Sequence, residues 1–131
     1  MCLELEFFPT AADPVVLLSP STPEKAEKLS QALSILVEDN NAVVDVHALP
    51  FISPVDGCRL SAQVIDEDIG AVLIENTKNH FKWQLTSQGW EFVLVLLDTM
   101  TEPDSSGYHY LGPDDETGDY LLILSTYYRW W

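Results

Sequence analysis

The sequence predicts an α+β fold, with two helices on one or more antiparallel sheets. Three observations lead there. Short runs alternate apolar and polar residues with the period of a strand that has one wet face. Two longer runs repeat at helical spacing, each behind a threonine placed to cap a helix. The order of these elements is the same in both halves of the chain, β-β-α-β-β each time.

The first strand is Leu3, Leu5 and Phe7 alternating with Glu4 and Glu6. Pro9 and Asp13-Pro14 interrupt it, and residues 15–19 form a second short strand, which makes a hairpin. Ser21-Thr22-Pro23-Glu24 then opens a helix. Thr22 can cap it, and Pro23 at the first helical position lacks an N–H that would go unsatisfied there. Ser21 and Glu24 fit a capping box one residue out of register. Ala26, Leu29, Leu33, Leu36 and Val37 share one side, with Lys25, Lys28 and Gln31 on the other. Asp39-Asn40-Asn41 ends the helix. Val44, Val46 and Ala48 alternate with Asp45 and His47 as a strand, and residues 49–57, with two prolines and Asp56-Gly57, read as a loop. Cys58, Leu60, Ala62 and Val64 alternate with Arg59, Ser61 and Gln63 as the next strand.

Asp66-Glu67-Asp68 is an acidic turn. Residues 71–75 and 81–85 flank Asn76-Thr77-Lys78-Asn79 as a hairpin, with Phe81, Trp83 and Leu85 on one face and Lys82 and Gln84 on the other. Periodicity alone fits the run 90–97 to a helix or to a buried strand. We read a helix, capped by Thr86 or Ser87 and stopped by Pro103, because Trp90, Val93, Leu94, Leu97 and Met100 lie opposite Glu91, Asp98 and Glu102. Residues 108–111 form a strand, 112–118 a polar loop and 120–128 the last strand.

Length bounds the chain to a single domain, residues 1–131, with pseudo-repeats over roughly 1–66 and 67–131. The two halves align on Leu18-Ser19 with Leu85-Thr86 ahead of the helices, and on Val46-His47-Ala48-Leu49 with Tyr108-His109-Tyr110-Leu111 after them. Each unit is then a small antiparallel sheet crossed by one helix. Neither unit buries enough apolar surface alone, so the two are expected to share a core.

Six Lys and Arg stand against 21 Asp and Glu, a formal net charge of −15. Such a surface repels nucleic acid and anionic membrane, so neither is expected as a partner. The N-terminus shows no signal peptide, and no apolar window is long enough to span a bilayer. Cys2 and Cys58 read as free thiols in a reducing compartment, which makes the expected location cytoplasmic. His47, His80 and His109 with the two cysteines match no zinc spacing, and the acidic loops match no calcium loop. No nucleophile elbow, Cys–His signature or phosphate-binding glycine loop is present. The expectation is therefore no cofactor, no metal and no catalysis.

Two acidic clusters, Asp66, Glu67 and Asp68, and Asp114, Asp115 and Glu116 with Asp119, read either as solvated turns or as a docking surface for a basic protein. Tyr128, Arg129, Trp130 and Trp131 at the chain end read either as core-capping aromatics or as an interface anchor. A winged helix is rejected: the recognition-helix position holds the alternating strand from Cys58, and the charge is wrong for DNA.

The Gly107 to Leu111 stretch, Gly-x-His-x-Leu, followed by an acidic loop and an apolar strand, is similar to small acidic immunity proteins of bacterial toxin systems. The first half, with its Thr-capped helix and a strand bearing His-x-Leu, has the same character. The resemblance implies a cognate toxin bound stoichiometrically, without catalysis. The function expected is a non-catalytic inhibitor or immunity-type protein meeting a basic partner such as a toxin. The alternative is a structural or adaptor subunit that binds through the aromatic C-terminus, and a third reading is an uncatalogued enzyme, which requires a concave pocket with His47 or His109 beside an acid.

Overall fold

A computed structural model of the protein describes residues 3–9, 15–19, 22–101, 108–111 and 121–125. In chain order these form β1 (Leu3–Phe8), β2 (Val15–Ser19), α1 (Pro23–Leu33), α2 (Ile35–Glu38), β3 (Val43–Asp45), β4 (Ile52–Pro54), β5 (Arg59–Val64), β6 (Gly70–Leu73), β7 (His80–Leu85), α3 (Ser87–Thr99), β8 (Tyr108–Tyr110) and β9 (Leu121–Ser125). The fold is α+β. Thr22 caps α1, its Oγ1 accepting from the Lys25 N–H at 3.3 Å, with Pro23 next in line. α2 is one further turn, set off where the Ser34 hydroxyl donates to the Gln31 carbonyl at 2.8 Å and competes with the helical ladder.

The strands make two sheets, in the orders β4-β1-β2-β9-β8 and β3-β5-β7-β6. The expectation of antiparallel sheets is corrected: both are mixed. β1 with β2, β8 with β9, β3 with β5 and β6 with β7 are antiparallel, whereas β2 with β9, β5 with β7 and β1 with β4 are parallel. β2 and β9 are continuous apolar runs, Val15-Val16-Leu17-Leu18 and Leu121-Leu122-Ile123-Leu124. Such runs suit parallel strands covered on both faces, and every residue of β2 is buried.

Without β4, the two sheets have the same pairing plan. The first runs β1-β2-β9-β8 and the second β6-β7-β5-β3, with a parallel pair at the centre and antiparallel pairs outside. In each sheet, a hairpin that leads into a capped helix lies beside the strands that follow the other helix. Neither half therefore forms a sheet of its own, as the sequence had suggested. Each half starts in one sheet and ends in the other.

One core collects the inner residues of both sheets and the helices: Leu5, Leu18 and Leu124 from the first sheet, Leu60, Phe81 and Trp83 from the second, and Leu29, Trp90 and Leu97 from the helices. Phe7 meets Phe81 across the sheets, ring centroids 4.8 Å apart. α1 and α2 both pack against α3.

Three local expectations are corrected. Lys25, placed on the polar side of α1, is only 9 % exposed. It lies one helical repeat before Leu29 and so shares the inward stripe, where a long methylene stem can cover apolar surface. The strand expected through Ala48 stops at Asp45, and Val46–Ala48 is a single 3-10 turn. The expected loop 49–57 contains β4, whose Pro54 is tolerated because β4 is an edge strand.

Trp83 and Trp90 pack edge to face, ring centroids 4.6 Å apart. The Trp90 Nε1–H donates to the Gln63 carbonyl at 3.0 Å, whereas the buried Trp83 Nε1 has no partner among the described residues. Trp90→Phe is expected to destabilise the protein by about 1–3 kcal/mol more than Trp83→Phe in urea unfolding, because only Trp90 gives up a made hydrogen bond. Equal losses would show that packing alone sets both values.

Candidate functional site

Of the acidic residues picked out from the sequence, Asp66, Glu67 and Asp68 are exposed in the turn between β5 and β6. The turn is tied over the end of β7: the Ile65 N–H donates to the Leu85 carbonyl at 2.9 Å and the Ile69 N–H to the Gln84 carbonyl at 3.0 Å. Asp68 has a structural task. Its Oδ1 accepts from the Thr86 N–H at 2.8 Å and from the Thr86 hydroxyl at 2.9 Å. Thr86 in turn caps α3, its Oγ1 accepting from the Gly89 N–H at 3.0 Å. Asp68 thus braces the residue that starts α3, where a carboxylate also suits the positive end of the helix dipole. Asp66 and Glu67 form no ion pair among the described residues. Asp114, Asp115, Glu116, Asp119, Tyr128, Arg129, Trp130 and Trp131 lie outside the described residues.

Gly89 is needed for this brace. A Cβ at this position would collide with Asp68 Oδ1 and stand 3.1 Å from the Leu85 Cβ. Gly→Ala inside a helix ordinarily stabilises by about 0.5–1 kcal/mol. Gly89→Ala is expected to destabilise instead, by about 1 kcal/mol or more, as the Asp68 contact is displaced. Asp68→Ala should remove most of that penalty when combined with it, and a thermal melt of the single and double variants reads both effects.

α3 buries Trp90, Val93 and Leu97. Its opposite side is not conventionally polar. Val95 is 59 % exposed and Phe92 41 %, with exposed Glu91 and Asp98 alongside. At 100° per residue, Val95 lies nearly opposite the buried stripe, between the two carboxylates and Phe92. The helix carries no basic residue. Sequence reading placed Glu91 and Asp98 on this side but missed Phe92 and Val95, because in an apolar run they look like further core.

A second cluster lies on the outer face of the four-stranded sheet. In the parallel register Arg59 stands opposite His80, Ser61 opposite Lys82 and Gln63 opposite Gln84. Asp45 on β3 is opposite Ser61, whose hydroxyl donates to the Asp45 carboxylate at 2.8 Å. The expectation that His47 is a strand residue on a wet face is corrected. His47 sits in the 3-10 turn, with Nδ1 3.1 Å from the Leu60 nitrogen, which donates to it, and 3.2 Å from the Leu60 carbonyl oxygen. The ring stands in for strand backbone where β3 has turned away. The His47 and His80 rings lie 6.4 Å apart. Partial burial lowers the His80 pKa from its usual value, and the charges of Arg59, His47 and Lys82 push the same way against Asp45.

A cleft of about 420 Å³ opens between the end of β1, the turn after β4 and the β6–β7 loop, lined among others by Glu6, Phe7, Asp56, Leu73 and Lys78. Asn79 closes one side, its amide donating to the Asp56 carbonyl at 2.9 Å. No histidine or cysteine lines it among the described residues. The described residues include no group of three or more His, Cys, Asp or Glu able to hold a metal ion, and no helix long and apolar enough to cross a membrane.

Cys58 is a free, fully buried thiol. Burial, with a smaller contribution from the Glu6 carboxylate, pushes its pKa up to about 12 from an ordinary 9.0. The folded pKa lies above the unfolded one, so Cys58 contributes stability that is full below pH 9.0 and lost as the pH rises towards 12. At pH 8 the native thiol should not react with an aromatic disulfide reagent, whereas the urea-unfolded chain reacts promptly. Rapid native reaction would contradict the burial.

Comparisons with protein-family models, with curated proteins and with solved structures found no match for this chain.

Proposed function

We propose that this is a non-catalytic protein-binding protein of the inhibitor or immunity type that engages a basic protein partner, such as a toxin, in the cytoplasm. The observation that carries the reading is the outer side of α3. Apolar Phe92 and Val95 stand exposed beside Glu91 and Asp98, on a helix without a cation. An apolar centre with a charged rim is the usual anatomy of a protein interface. The charged residues of the rim are both acidic, with exposed neutral Gln88 and Thr99 on the same side, and the exposed Asp66 and Glu67 belong to the turn whose Asp68 braces the start of this helix. Clustered carboxylates would steer a cationic partner and speed its association. A net charge of −15 adds a long-range field of the same sign.

The test is affinity capture from the cell of origin with wild type and with a Glu91→Lys/Asp98→Lys double variant. The partner is expected to be basic and bound one to one, with an association rate that falls as salt rises. The double variant is expected to bind at least about tenfold more weakly. An acidic partner, or a basic one held equally well by the double variant and indifferent to salt, would reject this reading.

A further inference from the structure

We propose that the open face of the four-stranded sheet binds an acidic segment of a partner protein, an extended stretch with carboxylates on alternate residues, laid along β5 and β7 against Arg59, His80 and Lys82. This face is distinct from the one assigned above. Trp83 points inward to Trp90 of α3, so its neighbour Lys82 on β7 points away from that helix.

The first ground is where the cations are. The chain has six Lys and Arg, and two of them, Arg59 and Lys82, share this face with His80 and with the nearby His47 ring. Neither Arg59 nor Lys82 is in an ion pair among the described residues, and the facing carboxylate of Asp45 is held by Ser61. Guarding a sheet edge does not explain Lys82, since β7 lies between β5 and β6. Solubility does not explain it either, because the chain already carries −15.

The second ground is the pairing. Parallel strands are normally covered on both faces. The central parallel pair of the other sheet obeys this, with Leu17 and Ile123 on its outer side 0 % and 1 % exposed. The matching positions of β5 and β7 hold exposed Arg59 and Lys82 and half-buried Ser61, Gln63, His80 and Gln84. A cover for this face must accept cations and glutamine amides.

The geometry narrows the occupant. Alternate residues of a strand are about 6.7 Å apart and adjacent strands about 4.8 Å, so an extended segment with carboxylates at i and i+2 can meet His80 and Lys82 while Arg59 reaches it from the side. A nucleic acid would run off this small face on to acidic surface and be repelled. At 0.15 M salt the Debye length is about 8 Å, so the distant carboxylates are screened while a contact on this face is not.

The test uses the full chain, isotope-labelled, at 0.15 M salt. The probe is a synthetic peptide alternating Glu and Ser, with the Lys-for-Glu peptide and inorganic phosphate as controls. Amide shifts are expected across residues 59–63 and 80–84 with the Glu peptide alone. The His80 titration midpoint should rise on binding, because a carboxylate beside the ring favours its protonated form over the opposing charges of Arg59, His47 and Lys82. Lys82→Glu should lower the affinity at least about tenfold with the spectrum's dispersion retained. If that variant fails to fold, the wild-type His80 titration decides. No shift on this face, an equal response to phosphate, or affinity unchanged by Lys82→Glu would overturn the proposal.

Discussion

The parallel pairing of β2 with β9 and of β5 with β7 is the constraint on which the rest of the structure depends. A hairpin alone exposes the ladder groups along both of its edges and is at best marginally stable. Here β1–β2 is completed by β9 from the far end of the chain, and β6–β7 by β5 from the first half. Each helix then carries the chain from one sheet to the other. The halves cannot be pulled apart without leaving both central pairs unmade, so the shared core follows from pairing as much as from apolar area.

α3 is fixed at three points, each drawing on a different part of the chain. The Trp90 indole reaches the Gln63 carbonyl on β5, the Trp83 ring packs against it from β7, and Asp68 holds the capping Thr86. A helix fixed in this way can leave its other side unpacked. Phe92 and Val95 stand partly exposed on that side.

The charge of the molecule is partitioned rather than uniform. Carboxylates line α3 and the turn at its start, while Arg59 and Lys82 stand together on the outside of one sheet with two imidazoles close by. Burial first, and then the charges of Arg59, His47 and Lys82, lower the His80 pKa although the chain as a whole is strongly acidic. Net charge describes the long-range field, but a contact surface is decided within a few ångströms. A partner for one face is therefore not a partner for the other.

Much of the local structure could be read from residue order. The Thr22-Pro23 start, the Thr86 cap, the hairpin around Asn76-Thr77-Lys78-Asn79 and the inward sides of β1, β5 and β7 follow from capping chemistry and period. Long-range pairing did not follow, because alternation tells which face is wet and not which strand lies alongside. The runs Val15-Val16-Leu17-Leu18 and Leu121-Leu122-Ile123-Leu124 did carry a signal for parallel, doubly covered strands. Site roles were divided in the same way. Acidity near the start of α3 was visible in Asp66, Glu67 and Asp68, but that Asp68 is a brace, while Asp66 and Glu67 form no ion pair among the described residues, depends on where Thr86 arrives. That Arg59, His80, Lys82 and His47 come together could not be foreseen: they lie up to 35 positions apart, and only the β5–β7 register and the turn at Val46–Ala48 make them neighbours. Composition and spacing set the elements and their wet faces; tertiary pairing decided which charges share a surface, because register across strands is fixed by the whole core and not by any one segment.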